Sequence, residues 1–406
     1  MLTRTFVFSI IYVVIILIVF HIDVNSAFLS WSAVYKLKNG YSIDLRNIPS
    51  AVCGDPKKRK GIILAKSIPA KKMGVHTGQT LNCALECCPK LVLVPPEFEI
   101  YKKYSQNFVN LLKKYFDQVE QASIDECYVN YTDCQKLYGD PIKFAYNLKD
   151  EIQHRFGFTV NIGISENKLL AKMASDFEKP NKVHTLFKNE IANKMWILDI
   201  SDLLMLGKKT QLKLKDRGFK TIGDIAKSKP EVLEHMLGKH GKLLWEYANG
   251  IDNSTFCEKR DIKSIRSSET LPFDILTRED AYKQILRLSE DLSKRLRNLN
   301  LSATLITIEL KDTNFEKSSH QQQLPTNIVS STNIYNYSKK VFDSFWKGYA
   351  IRSIAITLSG FYNLNFEQLS LFENVKDDKK YQQLDKALDN IKAKYDHVII
   401  KRASLL

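Results

Sequence analysis

The sequence predicts a multidomain α/β protein organised around a mixed sheet backed by helices. Three observations carry this expectation. Apolar residues recur at three- and four-residue spacing over Glu99 to Gln121 and over Lys143 to Phe156, with strand-like segments between and after them. Short helical segments punctuated by Gly207, Gly218, Gly223, Gly238 and Gly241 fill 185–250. From about residue 262 the pattern alternates as βαββαβ, which makes a ferredoxin-like layer the expected second architecture. With 406 residues the chain has room for several cores, in two to four domains.

Taken in order, the chain opens on Phe6 to Phe20, an apolar run interrupted by Ser9 and preceded by Arg4. It resembles a signal h-region or short anchor, yet it falls short of the ~20 residues of a bilayer span and no small-residue cleavage site follows cleanly. Leu17 to Val24 is also needed as a buried strand, and one segment cannot lie both in lipid and in a sheet. The favoured reading is therefore a first strand preceded by an apolar leader over 1–16. Residues 31–90 break into small elements around Gly54-Asp55-Pro56, the basic run Lys57 to Lys60, Gly74 and Gly78, as a compact insertion would. The greasy helical face of Ile100, Tyr104, Phe108, Leu111, Leu112 and Tyr115 comes next. Ala122 to Tyr131 reads as strand material, and a second helical face carries Phe144, Leu148, Ile152 and Phe156. Phe158 to Ile164 then alternates as a strand should. Polar and basic residues make 252–264 a linker. Strands near 262–270, 301–310, 318–324 and 350–359, with helices near 279–298 and 332–346, form the last layer, followed by a charged helical stretch from Asp377 to Tyr395.

Sixty Lys plus Arg against forty-five Asp plus Glu leave a formal charge of +15. Such a field favours a polyanion, with nucleic acid the leading partner, although basic ribosomal, membrane-surface and chaperone proteins share the signature. The cysteines at 53, 83, 87, 88, 127, 134 and 257 are odd in number and unevenly spread, as in a reduced cytoplasmic protein. Cys83, Cys87 and Cys88 lack the partners that would complete a zinc site and are expected to be buried thiols.

Carboxylates carry the chemistry. Asp23, in His21-Ile22-Asp23-Val24-Asn25, and the pair Asp125-Glu126, in Ser123-Ile124-Asp125-Glu126, lie far apart in the chain. Acids from separate segments suit a pair of Mg²⁺ ions that leave coordination positions open for substrate phosphates, so the first reading is two-metal phosphoryl transfer. Neighbouring strand residues face opposite ways, so Asp125 and Glu126 can share a site only if the strand bends between Gln118–Ser123 and Cys127–Tyr131.

Those two motifs are followed by Gly163-Ile164-Ser165-Glu166-Asn167-Lys168, Ala171-Lys172-Met173-Ala174-Ser175-Asp176 and Lys179-Pro180-Asn181. In this order, they resemble the Y family, the lesion-bypass DNA polymerases of the bacterial polymerase IV kind, over about 17–375. The resemblance implies a right-handed polymerase: a palm from 17–30 and 91–184, small fingers from 31–90, a helical thumb over 185–251, a linker at 252–264, a ferredoxin-like little finger over 265–362 and a tail over 363–406. It further implies that Asp23, Asp125 and Glu126 hold two Mg²⁺ ions with the Val24 carbonyl as an additional ligand. Phe28 takes the sugar-discriminating place, the amides of Ala27 and Phe28 cradle phosphate oxygens, and Lys179 binds triphosphate. The usual Tyr-x-x-Arg of the fingers falls on Ile68-Pro69-Ala70-Lys71, so Lys71 keeps a charge without the bidentate fork and Ile68 loses the phenol.

Leu204 to Thr210, with Gly207 and Lys208, stands where a DNA-gripping helical hairpin is expected, and Gly238 with Gly241 offers a second. Lys259, Arg260, Lys263 and Arg266 are candidates for the template backbone. Gln368-Leu369-Ser370-Leu371-Phe372 resembles the bacterial sliding-clamp peptide, in which Gln368 hydrogen-bonds and Leu369, Leu371 and Phe372 are the pocket-filling positions. The expected activity is that of a monomeric, cytoplasmic, low-fidelity DNA-dependent DNA polymerase acting on primed template DNA and dNTPs, with no segment left for a proofreading exonuclease. Two alternatives are another palm-fold nucleotidyl enzyme, such as a cyclase, and a catalytically silent DNA-binding or clamp-docking accessory.

Overall fold

The computed structural model describes residues 17–257, 261–364, 375–395, 400 and 402. They form two compact units, 17–54 with 62–257 and 55–61 with 261 onward.

The first unit is centred on β1 (Val19–Val24), whose six residues are all buried. It is followed by helix α1 (Ala27–Lys38), the strands β2 (Ser50–Cys53) and β3 (Ile63–Lys66), helices α2 (Ile68–Lys72) and α3 (Leu81–Cys87), and β4 (Val92–Val94). Next come α4 (Phe98–Tyr115), β5 (Val119–Gln121), β6 (Glu126–Asn130), α5 (Gln135–Tyr138), α6 (Pro141–Phe156), β7 (Val160–Ser165), α7 (Lys168–Asp176) and β8 (Val183–Thr185). Strands order as β5-β6-β1-β7-β8, so β1 is central and its near-continuous apolar run is what burial on both faces requires. Ile18, Phe20, Ile22 and Val24 share a core with α4 and α6, while His21 and Asp23 alternate onto the opposite face. That face is partly covered by α7, which approaches β7 so closely that a Cβ on Gly163 would stand 2.0 Å from the Ala171 carbonyl oxygen. Because α7 covers it, β7 is buried at all six positions rather than every other one, as the alternation of 158–164 had implied. Helix α4 ends at Tyr115, earlier than the expected Gln121, because Phe116 turns extended and feeds β5. Asp140 caps α6, its side chain accepting from the Lys143 amide at 2.7 Å, with Pro141 at the first turn and Gly157 in the left-handed conformation at the end.

Strands β3-β2-β4 form a small separate sheet with its own core of Ala51, Ile63, Val75 and Leu91. Cys88 is buried there, but Cys83 and Cys87 are exposed, which corrects their reading as buried thiols; none of the seven cysteines forms a disulfide. The remaining helices of this unit are α8 (Ile191–Lys194), α9 (Lys208–Lys215), α10 (Ile222–Lys227), α11 (Pro230–Leu237) and α12 (Lys239–Ala248). They pack around Leu214, Ile222, Leu233 and Leu244, with Thr221 and Asp224 closing a capping box on α10.

The second unit runs β9 (Ser264–Ile275), α13 (Arg278–Asn298), β10 (Leu301–Asp312), β11 (Lys317–Ile328), α14 (Ser331–Phe345), β12 (Ile351–Asn363) and α15 (Val375–Tyr395). The βαββαβ order is as expected, with β10 and β12 at the centre of a four-stranded antiparallel sheet ordered β11-β10-β12-β9. The basic run near 57–60 groups with this unit, Arg59 pairing with Asp274 at 2.5 Å, and not with the rest of the 31–90 insertion. The buried Asp385 of α15 accepts from the Ser331 amide at 2.7 Å and pairs with Arg297 at 3.2 Å. Among the described residues no helix is long and apolar enough to cross a membrane. The 1–16 leader, Lys259, Arg260 and the 368–372 peptide lie outside the described residues.

Candidate active site

The strand register brings the acids together. Asp23 on β1 stands directly opposite Glu126 on β6, which puts both side chains on the α7 face. Asp125 precedes β6 in a bend over 123–125, where the Val24 amide donates to the Asp125 carbonyl at 3.1 Å and Ser105 holds the Ile124 carbonyl at 2.5 Å. This is the departure from regular strand geometry that two adjacent acids need in order to serve one site. Asp23, Val24, Asp125 and Glu126 line one cavity of 290 Å³ together with Ala27, Phe28 and Lys66.

Charge around the acids is unevenly neutralised. Lys172 of α7 donates to Glu126 at 2.9 Å, lies 3.6 Å from Asp23 and pairs with Asp176 at 3.1 Å. Lys179 donates to Asp23 and pairs with Asp176 at 2.8 Å. Burial opposes the charge of Lys172, but Asp23, Asp176 and Glu126 hold its ammonium above its ordinary range. The His21 ring, 3.7 Å away, and the Lys172 ammonium hold Glu126 down to about 2 against the effect of burial. At that separation the ring is beyond hydrogen-bond reach, so its part is electrostatic, and Lys172 supplies the hydrogen bond. Asp125 goes the other way: burial, helped by the charges of Asp23 and Glu126, raises its carboxyl although Ser123 donates to it at 2.6 Å.

The depressed Glu126 gives a sign for acid stability. In metal-free protein its contribution is present above the ordinary value of 4.5 and is lost as the pH falls from there toward about 2. Glu126→Gln removes the titrating group, so urea denaturation in EDTA should show a shallower loss of stability across that window than in the parent chain.

Phe28, on the first turn of α1, stacks on Tyr101 of α4 with ring centroids 4.7 Å apart and planes 12° apart, and Phe98 meets it edge-on at 6.0 Å. Ser32 and Tyr101 hydroxyls lie 2.7 Å apart beneath it, so the ring has a fixed aromatic floor. Ala27 and Phe28 open α1 after Ser26, which turns the chain at φ 47°; their amides belong to the first-turn donors that a helix leaves unpaired. Asn25 fixes the approach: it donates to Asn161 at 3.1 Å and accepts from Thr159 at 3.0 Å and from the Asn181 amide at 2.9 Å, which ties β1 to the segment carrying Lys179. A second cavity of 640 Å³ shares Ser26 and Lys66 with the first and is lined by Ile68, Lys71, Lys179 and Arg46.

Gly207 and Lys208 are exposed at the start of α9, and Gly238, at φ 64°, joins α11 to α12. Gly241 is corrected: it is buried inside α12, its amide donates to the Gly238 carbonyl, and a Cβ there would stand 1.9 Å from the Leu233 carbonyl oxygen. It packs two helices instead of facing a phosphate. Lys263 is exposed before β9, and Arg266 is tied to Glu309 at 2.7 Å. No sequence motif marks a role for Lys172, His21, Asn161 or Tyr101; the one local signal is Lys172 four residues before Asp176 on a helix.

Among the described residues no three His, Cys, Asp or Glu side chains stand close enough to form a ready metal cage. The donor set is nevertheless that of a hard cation: carboxylate oxygens on an open cavity, whose charges already draw two lysine ammonium groups.

Comparison with known proteins agrees with this geometry. Residues 22–176 match the impB/mucB/samB family and 262–371 match that family's C-terminal domain. A DNA polymerase IV of Clostridium acetobutylicum is 44% identical over 391 residues, covering 96% of this chain and 98% of that protein. One from Alkaliphilus oremlandii is 35% identical over 400 residues, covering 96% and 99%. The solved structure of a Y-family DNA polymerase chimera of Dbh and Dpo4 superposes with a TM-score of 0.72 at 25% identity, over 84% of this chain and 98% of the other. Sheet, acids and relatives together define a DNA-directed DNA polymerase. The chain belongs to the Y family of these enzymes, the impB/mucB/samB family, and within it to the DNA polymerase IV group.

Proposed function

We propose that this polymerase performs low-fidelity translesion synthesis without proofreading, by nucleotidyl transfer assisted by two Mg²⁺ ions. The observation that carries the chemistry is the meeting of Asp23, Asp125 and Glu126 on the cavity that Phe28 lines. Bound there, Mg²⁺ supplies Lewis acidity that lowers the pKa of the primer 3′-hydroxyl and offsets charge on the triphosphate. Asp23, Asp125, Glu126 and the Val24 carbonyl would hold it; Lys172 fixes the rotamer of Glu126, and Asn25 keeps Lys179 beside Asp23. Phe28 excludes a 2′-hydroxyl, the amides of Ala27 and Phe28 donate to phosphate oxygens, and Lys71 and Lys179 bind the triphosphate.

In this reading the palm is 17–30 and 91–184, the fingers 31–90, the thumb 185–251, the linker 252–264 and the little finger 265–362. Gly207, Lys208, Gly238, Lys263 and Arg266 contact primed template DNA through its backbone, which makes binding sensitive to salt. The 368–372 peptide docks a sliding clamp, and the enzyme acts as a monomer in the cytoplasm. Primer extension on matched templates with and without an abasic site tests the reading: dNTP- and Mg²⁺-dependent extension past the lesion is expected. Extension that halts at every lesion of a panel removes the translesion role.

A further inference from the structure

The geometry points to Lys66 as a second ammonium that grips the triphosphate of the incoming nucleotide alongside Lys71, an assignment that rests on the polymerase reading. Lys66 ends β3 and lines both the acid-bearing cavity and the larger cavity beside it, so it stands where a chain of phosphates leaving the reaction centre would pass. Its backbone is held rigidly. Ser67, the next residue, caps α2 by accepting from the Ala70 amide at 3.1 Å, accepts from the Ser50 amide at 3.1 Å and donates to the Ile48 carbonyl at 2.7 Å. The ammonium is aimed by a hydrogen bond to the Thr77 hydroxyl at 3.1 Å, and Thr77 also lines the acid-bearing cavity.

The other cations of the larger cavity are already engaged. Arg46 pairs with Asp44 at 2.8 Å and donates to the Gly157 carbonyl at 2.5 Å, and Lys179 pairs with Asp23 and Asp176. Among the described residues neither Lys66 nor Lys71 has a carboxylate partner. Burial and the charge of Lys71 both push Lys66 below its ordinary range, which marks two like charges sharing one partly desolvated space. A polyphosphate relieves that repulsion and replaces lost water with charge-assisted hydrogen bonds. Where the Tyr-x-x-Arg pattern implied by the family resemblance would supply one arginine fork and a phenol, Lys71 and Ile68 stand here; two separate ammonium groups offer charge through a different pair of residues.

Two measurements on the full chain separate this inference from the polymerase reading. Binding of inorganic tripolyphosphate to the metal-free protein, followed by calorimetry, reports the grip without catalysis. Lys66→Met should weaken it by about tenfold, the size expected for one charge-assisted contact, and Lys66→Arg should restore it. In primer extension, the same Lys66→Met should raise KM for dNTP by a similar factor with kcat and the melting temperature little changed, and Lys66→Met/Lys71→Met should raise it further. Tripolyphosphate affinity within twofold of the parent in Lys66→Met, with the parent extending primers normally, overturns the role of Lys66. A parent chain that fails to extend primers removes the polymerase reading instead, while Lys66-dependent tripolyphosphate binding would still uphold the anion grip. If Lys66 merely tethers β3 to Thr77, the melting temperature falls, affinity does not, and the inference is lost.

Discussion

Asp125→Asn should lower single-turnover primer extension by a factor of a thousand or more while leaving the melting temperature and DNA affinity close to those of the parent. The argument rests on where the residue sits. Asp125 lies in the bend over 123–125 ahead of β6, half-buried and outside the apolar core; the backbone there is held by the Val24 and Ser105 contacts, and an asparagine Oδ1 can keep the hydrogen bond from Ser123. An amide of nearly the same shape therefore leaves the fold alone. It removes one negative charge from the cavity that Asp23 and Glu126 also line, and with it the attraction that would localise a divalent cation between substrate and enzyme. A factor of about a thousand corresponds to roughly 4 kcal/mol of transition-state stabilisation, within the range found for a single preorganised electrostatic contact. Asp176→Asn is the control, because Asp176 pairs with Lys172 and Lys179 at the rim without lining that cavity. Retention of a tenth or more of the parent rate by Asp125→Asn would show that the carboxylate is not part of the reaction centre.

Much of this site was legible because its chemistry is concentrated in contiguous motifs, and what was hidden depends on tertiary contacts. The apolar run ending in Asp23 announced a central strand, and the need for a bend at Asp125 followed from strand geometry alone. The second burial of β7 was not visible, because it comes from α7, whose approach requires Gly163 and leaves no periodic trace in 158–164. The segment Ala171 to Asp176 shows no role for Lys172 by itself, since only the register of β1 with β6 shows which acids its ammonium reaches. Gly241 looked like a hairpin glycine by spacing, but glycine also permits two helices to touch, and only the 1.9 Å approach to Leu233 distinguishes the two uses. Residues 55–61 grouped with 261 onward through the pairs Arg59 to Asp274 and Lys60 to Glu269, partners more than two hundred residues apart that no local pattern could join.

Phe28→Ala should raise the efficiency of ribonucleotide incorporation relative to deoxyribonucleotide by about a hundredfold, measured as the ratio of kcat/KM for ATP and dATP on the same primed template. Discrimination by a ring depends on the ring being unable to yield. Tyr101 stacks on one face of Phe28 at 4.7 Å, Trp31 lies 6.1 Å away, and Phe98 closes the edge, so the side chain cannot swing aside to admit an extra oxygen. Forcing an added heavy atom into such a packed contact costs about 1–3 kcal/mol, which converts to roughly five- to 150-fold in relative rate, with the upper end expected for a buttressed ring. Truncation to alanine leaves the acids and Lys172 in place, so incorporation of dATP should fall far less than the ratio changes. Tyr101→Ala offers the companion test: it leaves Phe28 present but removes its floor, and it should relax discrimination part of the way. If Phe28→Ala leaves the ratio within threefold of the parent, the ring is core packing and the sugar is selected elsewhere in the cavity.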